Sequence, residues 1–308
     1  MPKVDVVIVN WNSKEQARDC VKSLLDLSSN EIGYITVVDN GSTDGSDAGL
    51  DDLPGVQVHR AGVNLGFGAA CNVGAKNGKS EFILLLNPDA LVYKDTIKDS
   101  LEFMSDKSNQ QVGVCGVQLK DEQGHVAKSC TRLPTVHGLI AHALGIDRIF
   151  PSVGHFMSEW DHKQTRSVDH VIGAFYLIRR SLFEHLGGFD QRFFVYLEDL
   201  DLSNRVKAEG WDIKYVANVQ AFHKGGGTSD QVKALRLFYS LRSRIIYAFK
   251  HFNLLGAILV LLATMLIEPF CRIALSLLKR SLPSIKETAV AYSYLYAWLP
   301  RWIVGRYK

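Results

Sequence analysis

Val4-Asp5-Val6-Val7-Ile8-Val9-Asn10-Trp11-Asn12-Ser13-Lys14 begins with six residues of which five are β-branched, then turns polar at once. Branched side chains pack well on a pleated surface, so Val4–Val9 reads as a buried strand. Lys14–Leu27 follows with apolar residues at helical spacing, and Ser13 stands where an N-cap would. The pattern then recurs. Tyr34–Val38, Val56–Arg60 and Glu81–Leu86 read as strands, with Gly66–Lys76 and Lys94–Met104 as helices. Strand and helix in alternation predict an α/β fold with a mostly parallel sheet flanked by helices.

Open sheets of this kind bind ligands at the carboxyl ends of their strands. Asn10-Trp11-Asn12, Asp39-Asn40-Gly41-Ser42 and Asn87-Pro88-Asp89 each directly follow an apolar strand, so all three are expected on one rim. Asp39 can accept hydrogen bonds from a base or a ribose, or form an Asx turn. Asn64-Leu65-Gly66-Phe67-Gly68 opens a helix and can bring backbone N–H groups close to phosphate. It lacks the glycine spacing and first-strand position of a dinucleotide fingerprint, which disfavours a Rossmann dehydrogenase. Asp89 is either a turn aspartate or a ligand to a divalent cation bridging a diphosphate, since hard cations use few protein carboxylates.

The segment Gly187-Gly188-Phe189-Asp190 to Glu198-Asp199-Leu200-Asp201 packs four acids into twelve positions ahead of a helix that ends near Gly210. A helix N-terminus favours carboxylates and keeps them ionised. Ala221-Phe222-His223-Lys224-Gly225 then places a histidine after another apolar run.

This ordered set resembles the family 2 glycosyltransferases of the GT-A fold, within them the rhamnosyltransferase-like bacterial group. The resemblance covers residues 4–228 through Val-Asp-Asn-Gly-Ser-Thr-Asp, Asn-Leu-Gly-Phe-Gly, Asn-Pro-Asp, Gly-Gly-Phe-Asp, Glu-Asp-Leu-Asp-Leu and a late His. It implies Asp199, with Glu198, in catalysis, and Asp89 and His223 on Mg2+ or Mn2+. It implies Asn10, Asp39, Asn64, Gly66, Asn87 and Gly173 around the nucleotide sugar. Two positions depart from the pattern of many relatives. Asn87 replaces the first acid of Asp-x-Asp, and Cys71 stands where an Ala-Arg-Asn pattern is common. The implied reaction is an inverting, single-displacement sugar transfer, with dTDP-rhamnose the favoured donor. A nucleotidyltransferase would be expected to carry basic phosphate ligands in an N-terminal Gly-rich loop, and Asn10-Trp11-Asn12-Ser13 supplies none. A catalytically inactive scaffold would be expected to have lost Asp89, Asp199 or His223.

The remaining residues concern place. Residues 1–223 carry 22 basic and 29 acidic side chains (−7), whereas residues 224–308 carry 13 and 3 (+10). An acidic body with a basic tail suits an anionic membrane surface, and no nucleic-acid partner is expected. Five scattered cysteines without a CxxC pair fit a reducing compartment. The absence of a leader at the N-terminus predicts a cytoplasmic body. Residues 253–267 and 270–278 are apolar runs separated by Glu268-Pro269, a break that argues against a clean span. Flanking basic residues and Trp298, Trp302 and Tyr307 favour helices lying in or re-entering the headgroup region, over a span or a soluble packing surface. The expected division is a catalytic domain at 1–228 and a helical, membrane-associating region at 229–308. Its acceptor would be a polyprenyl-diphosphate-linked saccharide at the cytoplasmic face of the membrane.

Overall fold

In the computed structural model, which describes residues 3–225 and 232–305, the apolar runs of the first half lie side by side. β1 (Val4–Asn10), β2 (Ile32–Asp39), β3 (Val56–Arg60) and β4 (Phe82–Leu86) are parallel, in the order β3-β2-β1-β4. Every residue of β1 and β4 is buried, as both faces of the sheet are covered. α1 (Gln16–Ser28), α2 (Phe67–Gly74) and α3 (Thr96–Ser105) fall where the periodicity puts helices. One detail differs. Ser13 does not cap α1; its hydroxyl donates to the Asn10 side chain, and α1 begins without a side-chain cap.

Beyond β4 the chain adds β5 (Ala90–Val92), β6 (Val112–Lys120), β7 (Cys130–Thr131), β8 (Arg166–Val168), β9 (His170–Val171), β10 (Phe175–Arg179) and β11 (Asp212–His223). The main sheet has nine strands, ordered β3-β2-β1-β4-β10-β6-β11-β5 with β8 beside β11, while β7 and β9 pair separately. β10, β5 and β8 run against their neighbours, and the other six strands share one direction. β6 is central yet unmarked in the sequence, because Gly113 and Gly116 interrupt its apolar run. A Cβ at Gly113 would lie 2.6 Å from Leu182, and one at Gly116 2.7 Å from Val171. Close neighbours there exclude the side chains that would have announced a strand.

Asp5, the one acid inside β1, anchors the end of the sheet opposite the polar rim. Its buried carboxylate takes Arg180 Nη2 at 2.6 Å, the Ser80 hydroxyl at 2.7 Å and the Ser80 N–H at 2.9 Å. Arg180 opens α5 (Arg180–His185) and also donates to the carbonyls of Ser80 and Ala75. One ion pair therefore ties β1, the 75–80 loop and the end of β10.

The chain forms two compact units. The first is Met1–Arg132, Trp160–Gln191 and Glu198–Thr228; the second is Leu133–Glu159, Arg192–Leu197 and Ser229–Lys308. α6 (Glu198–Ala208) belongs to the first. The Leu133–Glu159 segment contributes α4 (Val136–Leu144) and two 3-10 turns to the second unit.

Within that second unit α4 packs with α7 (Lys233–His251) and α8 (Leu254–Leu262) through Leu139, Ala248, Ala257 and Val260. Glu268-Pro269 does not break the next element. Helical backbone continues from Leu254 to Leu278, through a π-turn at Ala263–Ile267 into α9 (Glu268–Leu278). Pro269 has no N–H to offer the Met265 carbonyl, and the Tyr296 hydroxyl donates there instead at 2.7 Å. The Tyr292 hydroxyl serves the Thr264 carbonyl at 3.0 Å. Both tyrosines lie on α10 (Leu282–Ile303). Glu268 points inward, bonded to Arg244 and Arg272. Trp298, expected at a headgroup layer, is 4% exposed and stacks on Trp302 instead; Tyr307 lies outside the described residues.

Asp5→Ala should lower the stability of the full chain by about 3–5 kcal/mol, since it leaves Arg180 buried without its partner. Urea unfolding of the wild type and the variant measures this.

Candidate active site

Parallel registry sets the nucleotide side of the rim. Asn10 pairs with Asp39 across β1 and β2, and Asp39 with Arg60 across β2 and β3. The Asn10 amide donates to Asp39 Oδ1 at 3.0 Å and to the hydroxyls of Ser42 and Ser46. Asn10 is fully enclosed. Grouped in the sequence with the nucleotide contacts, it is in the structure a support that fixes Asp39. Asp39 also accepts from the Ser42 N–H, so its turn role and its rim position coexist.

Asn40 joins this rim to the Gly-rich loop. Its Oδ1 accepts from the Leu65 N–H at 2.8 Å, and its amide donates to Asn64 Oδ1 at 3.0 Å. Asn64 Oδ1 also accepts from the Gly66 N–H. Gly66 precedes α2 with φ +86°, a backbone conformation suited to glycine. Asn64 and Gly66 are thus held beside Asp39 by a residue the sequence reading passed over. The signal was the amide at position 40, one residue past the strand.

A second cluster forms where β5 pairs with β11, because Ala90 stands opposite His223. His223 Nε2 lies 3.3 Å from Asp89 Oδ1 and 3.5 Å from the Asn87 amide nitrogen. The Asp89 carboxylate, the His223 imidazole and the Asn87 amide thus converge on one point of the rim. One carboxylate and one imidazole suit a divalent ion that completes its shell with phosphate and water. Among the described residues no group of three or more His, Cys, Asp or Glu side chains is placed to hold a metal, so phosphate and water would supply the remaining ligands. Cys20 lies beneath; its thiol is pushed up by burial and then by the Asp89 charge.

Asp199 completes the constellation. Its Oδ2 accepts from the Gly173 N–H at 2.9 Å, and its Oδ1 from the Leu200 N–H at 2.8 Å. Gly173 lies just before β10, and the neighbouring Ala174 carbonyl accepts from the Asn87 N–H at 3.1 Å. Asn87, Asp89, His223, Gly173 and Asp199 are therefore linked through one short path of hydrogen bonds and strand pairing. Gly173 was grouped with the nucleotide-sugar contacts; its N–H is committed to Asp199.

Three acids of the dense segment, Glu198, Asp199 and Asp201, separate by environment. Asp201 is fully buried and bonded to Arg205, which also clamps the carbonyls of Leu186 and Gly188. Gly188 has φ +70°, and a Cβ there would fall 2.4 Å from Asn72 Oδ1. Asn72 in turn exchanges two hydrogen bonds with the Phe189 backbone, so the Gly-Gly-Phe turn joins α2 to α6. Glu198 is 5% exposed and its Oε2 has no partner. Burial, then Asp199 and Asp201, hold its carboxyl well above the usual range. The resemblance groups Glu198 with Asp199 in catalysis, and burial favours the protonated form of Glu198, which is the less suited to accept a proton. Asp199 keeps 20% of its side chain exposed. Tyr196 and Leu197, at φ +67° and +65°, immediately precede the pair, and such left-handed residues cluster at functional sites.

A rim of this kind, with a carboxylate–imidazole pair beside a separately held carboxylate on a GT-A sheet, belongs to enzymes that transfer sugars from nucleotides. Residues 5–187 match the family described as "Glycosyl transferase family 2", and the chain belongs to that family. It is a glycosyltransferase. It is similar to the N-acetylglucosaminyl-diphospho-decaprenol L-rhamnosyltransferase of Mycobacterium tuberculosis, 28% identical over 238 residues, covering 72% of this chain and 76% of that one. Similarity to the rhamnosyltransferase WbbL of Escherichia coli is 28% over 221 residues, covering 67% and 78%. In fold it resembles the mannosyltransferase PcManGT of Pyrobaculum calidifontis, solved with GDP-Man and Mn2+. The TM-score is 0.55 at 16% identity, covering 96% of this chain and 75% of that one.

A carboxyl whose pKa rises on folding stabilises the fold in its protonated form, fully below the unfolded value of about 4.3 and less as pH climbs toward the folded value. Glu198→Gln keeps the shape and removes the charge. The gain in melting temperature over wild type should be near zero in acid and grow steadily as pH rises above about 4.3. Thermal scans across that range measure it; an offset independent of pH would mean that Glu198 is ionised in the fold.

Proposed function

We propose that the chain is an inverting, divalent-cation-dependent glycosyltransferase that moves rhamnose from dTDP-rhamnose to a polyprenyl-diphosphate-linked saccharide. The single observation that carries the chemistry is the path joining Asp89 and His223, through Asn87 and the Ala174–Gly173 backbone, to Asp199. It supports a donor diphosphate at one end and an attacking hydroxyl at the other. The relatives named as rhamnosyltransferases, one of them acting on a decaprenyl diphosphate-linked sugar, favour this donor and this acceptor class. The Mn2+ in the PcManGT structure agrees with the cation.

Asp89 and His223 would hold the cation. When bound, it supplies positive charge to the departing nucleoside diphosphate. Asp39, fixed by Asn10, accepts hydrogen bonds from the nucleoside, and the Asn64–Gly66 loop lies against it. Asp199 takes the acceptor proton as the hydroxyl oxygen bonds to the anomeric carbon and the diphosphate leaves. One base and no enzyme nucleophile give one displacement, hence inversion.

The second unit supports a site of action at the cytoplasmic face of a membrane. The Leu254–Leu278 helix is long and apolar enough to cross a bilayer. Its polarity is inverted: Leu255, Leu266 and Phe270 are exposed, whereas Thr264 and Glu268 are buried. Charges that enter lipid turn inward and pair in the same way. Lys279 and Arg280 follow at its end, suited to anionic headgroups. We read this surface as peripheral or re-entrant.

Asp199→Asn should reduce turnover by about 10²–10⁴-fold while donor binding is kept. Stopped-time product assays and donor thermal shifts with Mn2+ measure both, and normal turnover would overturn the assignment. Leu266→Asp with Phe270→Asp should release the protein from salt-washed membranes into the soluble fraction; unchanged sedimentation would rule out this face as the attachment.

A further inference from the structure

Behind Asp199 lies a buried set of polar groups that the mechanism does not use. His170 of β9 is 3% exposed, with Nε2 3.7 Å from Asp199 Oδ2. Its other nitrogen, Nδ1, is 2.9 Å from the Ser203 hydroxyl, which is 3.0 Å from the Tyr176 hydroxyl. Ser203 and Tyr176 are both fully enclosed. The groups around His170 are Asp199 and Ser203 on α6, Tyr176 on β10, Thr131 opposite on β7 and Asp169 beside it in the chain. Asp169 pairs outward with Lys207 at 2.9 Å.

Proton counting fixes the polarity of this set. Burial lowers the His170 pKa, against the opposing pull of Asp199 and Asp169, so the imidazole is neutral and carries one proton. With that proton on Nδ1, Nε2 would turn a lone pair toward the Asp199 carboxylate, which is repulsive. With it on Nε2, the order is consistent throughout: Tyr176 donates to Ser203, Ser203 donates to Nδ1, and Nε2–H faces Asp199 Oδ2 across 3.7 Å, a polar contact longer than a hydrogen bond. Each of these two hydroxyls supplies one proton.

We propose that His170 is a positioning residue for Asp199, held by Tyr176 and Ser203 as the Nε2–H tautomer so that its N–H dipole faces the carboxylate that the Gly173 and Leu200 N–H groups bond. This rests on the reading of Asp199 as the base. During transfer the acceptor proton moves to Asp199 and none moves to His170, which stays neutral. Its contribution is to keep the carboxylate aimed between turnovers, since an N–H dipole turned toward a carboxylate favours the charged form.

The test is the pH dependence of kcat/KM for the full chain, followed by release of dTDP from dTDP-rhamnose with the lipid-linked acceptor. His170→Phe removes the donor and should move the acid limb up by about one pH unit, with the donor KM unchanged. His170→Gln, whose amide can still donate, should restore the wild-type limb. Ser203→Ala frees the tautomer and should give an intermediate shift; it also carries the test if His170→Phe does not fold. An acid limb that coincides with wild type in these variants, with only the plateau lowered, would overturn the inference and leave His170 a packing residue. Asp199→Asn is assayed alongside. Normal turnover there would remove the base reading itself, whereas a dead Asp199→Asn beside an unshifted His170→Phe would remove only the positioning role.

Discussion

The site depends on the direction of one strand. β10 enters the sheet antiparallel between β4 and β6, whose own directions agree. The carboxyl ends of the parallel strands define the rim, so a reversed strand presents there the residues that lead into it. Those residues are Gly173 and Ala174, with backbone groups left unpaired by the ladder. A buried N–H or C=O must find a partner, and the two nearest are Asn87 and Asp199. The β4 turn that bears Asp89 and the α6 terminus that bears Asp199 are fixed to each other by ordinary backbone accounting.

The same accounting sorts the acids. Asp5 and Asp201 each face an arginine that also binds carbonyl groups, so both charges are matched and both residues serve the fold. Glu198 has no such partner and lies in a setting that favours its neutral form. Asp199 receives two backbone N–H groups while a fifth of its side chain stays open. Of adjacent carboxylates in one helical turn, only the one both satisfied and accessible is suited to accept a proton. Sequence proximity put Glu198, Asp199 and Asp201 into one motif; the environments that separate them are set by residues far along the chain.

That distance explains what the sequence disclosed. β1, β2, β3 and β4 were legible because their apolar runs are local and end in polar turns, and Val56–Arg60 agrees to the residue. β6 was not, since its glycines record contacts with Leu182 and Val171 that no local pattern expresses. Asp89, His223 and Asp199 could be nominated from the ordered motifs, but their arrangement came from pairings such as His223 with Ala90, more than a hundred residues apart. Asn40 was overlooked because its work is to hold a loop beginning at Asn64. Ser13 was misread because a serine before a helix satisfies the cap rule whether or not its hydroxyl is engaged elsewhere.

The second unit shows the reverse case, a local rule that tertiary structure overrides. Glu-Pro inside an apolar run removes one backbone donor and adds one charge, and either ordinarily ends a helix. Here a π-turn takes up the proline, two tyrosine hydroxyls satisfy the Thr264 and Met265 carbonyls, and two arginines enclose the glutamate. Every polar consequence of the break is handled on the inward side. The outward side is left with leucines and a phenylalanine, and water gives no reason to build a helix that way round. The proposed membrane site would account for that polarity, because in lipid the polar groups are the ones that must be hidden.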